Sequence, residues 1–153
     1  EKHCSKWGVW GSKYLSKDFF LDLAKPMLKE NIILFCAKRV NTQKTIGMSL
    51  CVKEKDMLWG RYWGSDEELE FLHFELCYYS PIEWAIKNKI KFFDPGAGGN
   101  QKRRRGFLAK PHFSLHRWYN KKMEDIIKEW LPEANDIMLE RIKTTNSKVP
   151  FKN

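Results

Sequence analysis

Three times between Ile32 and Gly64 the chain passes through apolar, β-branched and aromatic residues, with only four polar residues after each of the first two passes. The runs are residues 32–40 (IILFCAKRV), 45–52 (TIGMSLCV) and 57–64 (MLWGRYWG), and the breaks are 41–44 and 53–56. Four residues suffice to reverse a strand, whereas a parallel crossover needs a dozen or more. The segment is therefore expected to form an antiparallel meander of three strands. The two glycines of the third run predict a strand whose backbone is closely approached.

Around this meander the pattern changes to helical spacing. Ser16 is an expected N-cap with Asp18 in the first turn, and Phe19, Phe20, Leu23, Met27 and Leu28 recur on one side. Pro26 should kink that helix or end it. Phe71, Phe74, Tyr78, Ile82, Ala85 and Ile86 define a second helix, interrupted at Ser80-Pro81-Ile82-Glu83 by a capping-box pattern that predicts either a kink or a new start at Ser80. A short buried strand is expected at 90–94 and a last strand at 112–119. Asn120 should cap a helix running through Leu131, its apolar face continuing past Pro132, before a polar tail. Residues 1–14, with Trp7, Gly8, Trp10 and Gly11, show no clear period and read as loop. The order is that of an α+β fold, a mostly antiparallel sheet flanked by helices. A single domain over residues 1–145 with a polar tail at 146–153 is expected, and 153 residues suffice for one packed core.

Charge is concentrated in one place. Residues 95–123 hold eight Lys/Arg and no Asp or Glu, against a formal net charge of +9 for the whole chain. The remainder is nearly neutral, so the imbalance points to one anionic ligand or partner rather than to general stickiness. No apolar stretch approaches the roughly 20 residues of a membrane span, and no signal-peptide pattern opens the chain. Cys4, Cys36, Cys51 and Cys77 are isolated, with no CxxC pair, and three of them lie in apolar segments that suit buried free thiols. A cytoplasmic setting is expected. The first residue, Glu1, is not Met, as in a fragment or processed chain.

Four ordered motifs carry a family resemblance: LWGRYWGSDEE (58–68), LHFELCYYSPIEWAI (72–86), FFDPGAGGNQKRRRGF (92–107) and Ser114-Leu115-His116. Together they resemble FemAB-like proteins of peptidoglycan biosynthesis, N-acyltransferases of the acyl-CoA N-acyltransferase (GNAT) superfamily, over about residues 14–131. The resemblance implies a GNAT-like fold and an enzyme that transfers an acyl or aminoacyl group to an amine. It also implies an acyl-CoA or aminoacyl-tRNA as co-substrate and no permanently bound cofactor. The relatives are longer, with two such halves, so the chain resembles the C-terminal half, and a partner half-domain or a homodimer is expected. In the family the loop usually reads GAQGEHK; here Asn100 and Gln101 stand where Glu and His would, so no acid or imidazole carries over to those positions. The pyrophosphate signature of GNAT enzymes is only half present, at Arg61-Tyr62-Trp63-Gly64, which favours a tRNA-borne or other activated donor over acetyl-CoA.

Transfer to an amine requires a neutral nucleophile, donors for the developing oxyanion and a grip on an anionic donor. Loop 95–106 answers the last need. Gly96, Gly98 and Gly99 allow backbone N–H groups to converge on phosphate oxygens, and Lys102 and Arg105 add charge. The plainer reading is a solvated basic turn. His73, Glu75 and Asp94 are the candidates for proton transfer. On a helix His73 and Cys77 share one face and Glu75 and Tyr79 another, so the pair cannot both enter one cleft. A histidine satisfied among aromatics, a carboxylate paired to Arg61 or Lys102, and an Asp94 that merely anchors the loop are the competing readings. Arg61, Tyr62, Trp63, Tyr79, Ser114 and His116 are the substrate-side candidates, their rings suited to stacking on sugars and bases or to filling the core. The acidic residues Asp66, Glu67, Glu68 and Glu70 could steer a cationic amine acceptor. His112 and His116 would share a strand face, but no Cys or carboxylate spacing accompanies them and no metal is expected. The competing functional class is a non-catalytic RNA- or polyanion-binding module using the same basic stretch.

Overall fold

The computed structural model describes Ser5, Gly8 and residues 15–151. The expected N-terminal loop, and Cys4 with it, lies outside these residues apart from Ser5 and Gly8. The chain divides into two compact units, residues 1–97 and 98–153, with the boundary inside the Gly-rich loop.

In the first unit, Ser16 caps α1 (Lys17–Leu23), its Oγ accepting from the Phe19 amide, and the helix ends before Pro26. A 3₁₀ turn (Lys29–Asn31) leads into β1 (Ile32–Lys38), β2 (Thr45–Glu54) and β3 (Met57–Ser65), paired antiparallel as the turn spacing requires. β4 (Phe92–Asp94) lies parallel to β3, giving a four-stranded mixed sheet in the order β1-β2-β3-β4. The intervening helical stretch comprises α2 (Leu72–Phe74), a π-helical turn (Glu75–Tyr79) and α3 (Ser80–Lys87). It packs on one face of the sheet.

That face follows from small residues on β2. Gly47, Ser49 and Cys51 alternate inward and are buried. A Cβ at Gly47 would stand 3.1 Å from side-chain carbons of both Leu72 and Leu76, so the helix can approach only a bare backbone there. Ile33 and Phe35 on β1, Leu58 on β3 and Phe93 on β4 complete the layer against Trp84, Ala85 and Ile90. Phe35 meets Trp84 edge to face at 6.2 Å. The larger residues of β2, Met48, Leu50 and Val52, therefore occupy the opposite face, with Leu34 and Tyr62. Phe20 of α1 reaches Tyr62 on that side, ring to ring at 6.1 Å.

Ser80 does not restart the helix. Tyr79 keeps helical dihedrals, and the Ser80 amide donates five residues back to the Glu75 carbonyl. In this widened register Pro81 would be the donor to Leu76, but proline has no N–H. Ser49 supplies the missing donor, its Oγ–H reaching the buried Leu76 carbonyl at 2.5 Å. Pro81 itself is fully buried.

In the second unit, α4 (Asn100–Arg103) is a single turn and α5 (Lys121–Asn146) is long. Asn120 caps α5 through Oδ1, accepting from Met123. Pro132 lies inside the helix rather than ending it, and strong helix formers on both sides offset its missing bond. The helix ends at Asn146, the first residue of the expected polar tail. The strand expected at 112–119 does not form: these residues pair with no strand. Their alternation persists without a ladder.

Two outcomes test this packing. Ser49→Ala strands the Leu76 carbonyl and should cost about 1–3 kcal/mol in denaturant unfolding, and the penalty should shrink when Pro81→Ala restores a backbone donor; an equal penalty in both backgrounds would refute the link. Burial pushes the Cys51 thiol up to about 12, so it stays protonated at pH 8, while Cys36 is exposed. Alkylation with peptide mapping should therefore label Cys36 in the folded protein and Cys51 only after denaturation.

Candidate functional site

Of the site candidates of the first unit, Arg61, Tyr62 and Asp94 lie at the end of the β3–β4 ladder. Met57, Leu58 and Trp59 pair with Phe92, Phe93 and Asp94, and then the strands separate: β3 continues to Ser65 while the chain leaves β4 for the Gly-rich loop. Arg61 is the extra residue of a β-bulge, since Leu50 faces Tyr62 and Cys51 faces Gly60. The bulge turns Trp59 and Tyr62, three apart, to the same side. Gly60 has no side chain where the Pro95 backbone passes, 3.4 Å from the position of a Cβ.

The nominated residues divide between the two faces of the sheet. Trp63 points to the helix-covered face, where its ring meets His73 at 4.7 Å. His73 is further enclosed by Phe74 and Tyr78, each at 5.5 Å. Glu75 and Tyr79 are exposed on the outer side of the same helical stretch, because Leu76 and Tyr78 take the buried side. The Glu75 carboxylate accepts from Ser80 Oγ at 2.6 Å. His73 and Glu75 are thus not brought together. Asp94 shares the opposite sheet face with Trp59 and Tyr62, and its Oδ1 accepts the Gly96 amide at 2.8 Å. This is an Asx turn, which fixes how the loop departs from the strand. In the acidic run, Glu67 is held by the Arg39 guanidinium through both carboxylate oxygens, and that contact keeps its carboxyl below the usual range.

The second unit carries the cations. Gly98 and Gly99 adopt positive φ, and α4 follows directly. Gly99 has a φ of +91°, a conformation that L side chains rarely adopt, so the bend into the turn favours glycine there. Lys102 sits in the turn, its amide donating to Gly99 and its carbonyl accepting from Arg105 and Phe107. The Arg105 guanidinium donates to the Gln101 carbonyl at 2.8 Å and stiffens the loop from within. Arg103 donates to the Lys148 carbonyl at 3.1 Å, while Arg104 is exposed.

Asn146 adds a contact that sequence spacing does not reveal. Its side-chain amide bonds both the N–H and the C=O of Ala109, at 2.8 and 3.0 Å, 37 residues away. The last turn of α5 therefore holds the exit of the basic loop. Beyond it, Ser114 Oγ and His116 Nε2 lie 2.8 Å apart, and His116 stacks on Trp118 at 6.1 Å. Among the described residues no group of three His, Cys, Asp or Glu side chains is placed to hold a metal ion. No helix among them is long and apolar enough to cross a membrane.

No curated protein and no solved structure matches the chain. A family model does, described as peptidoglycan biosynthesis/recognition and matched over residues 1–153. The parallel strand end with its Asx-anchored glycine loop, the basic turn and the motif order all lie inside that match, and the chain belongs to the FemAB-like family.

Proposed function

We propose that this chain is the donor-binding part of an N-acyltransferase that moves an acyl or aminoacyl group onto the amine of a peptidoglycan-type peptide, on a sheet of GNAT-like type. The reaction is placed in the cytoplasm. The observation that carries the reading is the loop itself: three glycines at positive φ, Gly96, Gly98 and Gly99, lead into a turn that carries Lys102 and Arg105 in a stretch without acids. Such a loop suits phosphate oxygens, through backbone N–H groups and through the charge of Lys and Arg.

In the proposed step the neutral amine attacks the acyl carbonyl, a C–N bond forms, and the C–O bond of an ester donor or the C–S bond of a thioester breaks. The proton lost by nitrogen ends on the departing oxygen or sulfur. Asp94 is a positioning residue for the loop through its bond to Gly96. Of the three candidates for relaying the proton, Glu75 is exposed, whereas the His73 ring is enclosed by Trp63, Phe74 and Tyr78. Arg61, Tyr62, Tyr79, Ser114 and His116 remain candidates on the substrate side. The half-present pyrophosphate signature at Arg61 and Gly64 favours aminoacyl-tRNA over acetyl-CoA as donor.

Calorimetric titration with aminoacyl-tRNA, acetyl-CoA and longer acyl-CoAs identifies the donor class. Lys102→Ala and Arg105→Ala should each weaken binding of the true donor by about 10- to 100-fold, the range of one or two charge-assisted contacts, with the thermal midpoint little changed. Unaltered affinity in both variants would remove the loop from the donor site. Equal affinity for charged and uncharged tRNA, with no transfer to a peptide amine, would favour the non-catalytic polyanion-binding alternative.

A further inference from the structure

One segment of the second unit follows the proposed donor loop, and apart from the substrate-side candidates Ser114 and His116 its residues have no part in the proposed reaction. Residues 111–120 are exposed throughout, with Phe113 at 95%, Leu115 at 102% and Tyr119 at 89% of full exposure. Between Lys110 and Tyr119 no backbone hydrogen bond forms among the described residues. The segment is two-sided. Ser114, His116 and Trp118 contact one another along one side. Phe113, Leu115, Arg117 and Tyr119 alternate with them, and the Arg117 guanidinium lies 5.3 Å from the centre of the Tyr119 ring. Exposed cations flank these side chains: Arg104 and Lys110 before them, Lys122 after them. No acid occurs anywhere from 95 to 123.

We propose that this segment docks the protein on an anionic membrane surface, with Phe113 and Leu115 entering the interfacial layer and Arg104, Lys110, Arg117 and Lys122 facing lipid phosphates. Charge selects the partner: a stretch with four exposed cations and no acid from 95 to 123 is complementary to an anionic leaflet. The same charge argues against a second copy of this chain, because a two-fold pairing of this segment would oppose like charges. Leu115 argues against RNA, since bases reward planar stacking partners and a fully exposed aliphatic side chain gains only from hydrocarbon. The bare backbone sets the depth. Its N–H and C=O groups must stay hydrated, so only side chains enter while the chain runs along the headgroup layer. Aromatic and aliphatic residues beside Lys and Arg are the composition that such surfaces bind. The docking does not depend on the acyl-transfer reading.

The test is co-sedimentation of the full chain with phosphatidylcholine vesicles, with and without phosphatidylglycerol. Binding is expected only with phosphatidylglycerol, weakening as salt rises. Phe113→Ser/Leu115→Ser should lower it by roughly 100-fold, about tenfold for each apolar side chain withdrawn from the interface, with the circular dichroism spectrum unchanged. Lys110→Gln/Arg117→Gln should weaken binding and flatten its salt dependence. As a readout that does not depend on loss, Leu115→Trp should give an emission that shifts to the blue on anionic vesicles and is quenched by brominated lipid. Undiminished binding by the serine variant, or no shift from Leu115→Trp, would each overturn the proposal.

Discussion

A buried proline sets the order of the first unit. Pro81 cannot donate a backbone hydrogen bond, and the widened turn before it leaves the Leu76 carbonyl to be satisfied from outside the helix. The donor is Ser49, on the central strand of the meander. This single contact ties the helical stretch to the sheet at a fixed height and rotation. It explains why β2 presents Gly47, Ser49 and Cys51 inward: anything larger would push the carbonyl away from the hydroxyl. Leu58 and Phe93 then fill the space that the close approach leaves beside them.

The same contact settles which candidate residues share a surface. With Leu76 and Tyr78 turned to the sheet, Glu75 and Tyr79 must look outward, and His73 is pressed against Trp63. The bulge at Arg61 then places Tyr62 beside the column of Trp59 and Asp94 on the far face. Anion recognition needs little of this geometry. It resides in a glycine-bent turn whose shape is kept by its own backbone bonds and by Arg105 on Gln101.

What the sequence discloses follows from the range of the interaction. The meander was legible because hairpins depend on turn length and apolar runs that are adjacent in the chain, and the caps at Ser16 and Asn120 because they act over three residues. The path of α5 through Pro132 was legible in its apolar face but not in its length, which depends on the summed propensity of its neighbours. The interruption expected at Ser80 is present, but as a π-helical turn before an uncapped segment rather than a capped start, and this has a distinct cause. A capping box and a helix-interior Ser-Pro look alike until a partner 31 residues upstream supplies the donor that proline lacks. The expected strand at 112–119 had the right alternation, but a strand also requires a neighbour, and none of the sheet's strands takes that place. The Asn146 clamp on Ala109 left no local signal at all, because one asparagine among many carries no mark of its distant target. The glycines of the basic loop were the opposite case, since positive φ at 96, 98 and 99 is written in the residue type itself.

The clamp has a mechanical consequence. Ala109 is fixed by the Asn146 amide, and Asn120 is fixed by its own cap on α5, so the ten residues between them are strung between two posts on the same helix. A chain held at both ends samples far fewer shapes than a free tail. Ordering it on contact with any surface therefore forfeits little entropy, and force applied to that span passes directly into the two ends of α5.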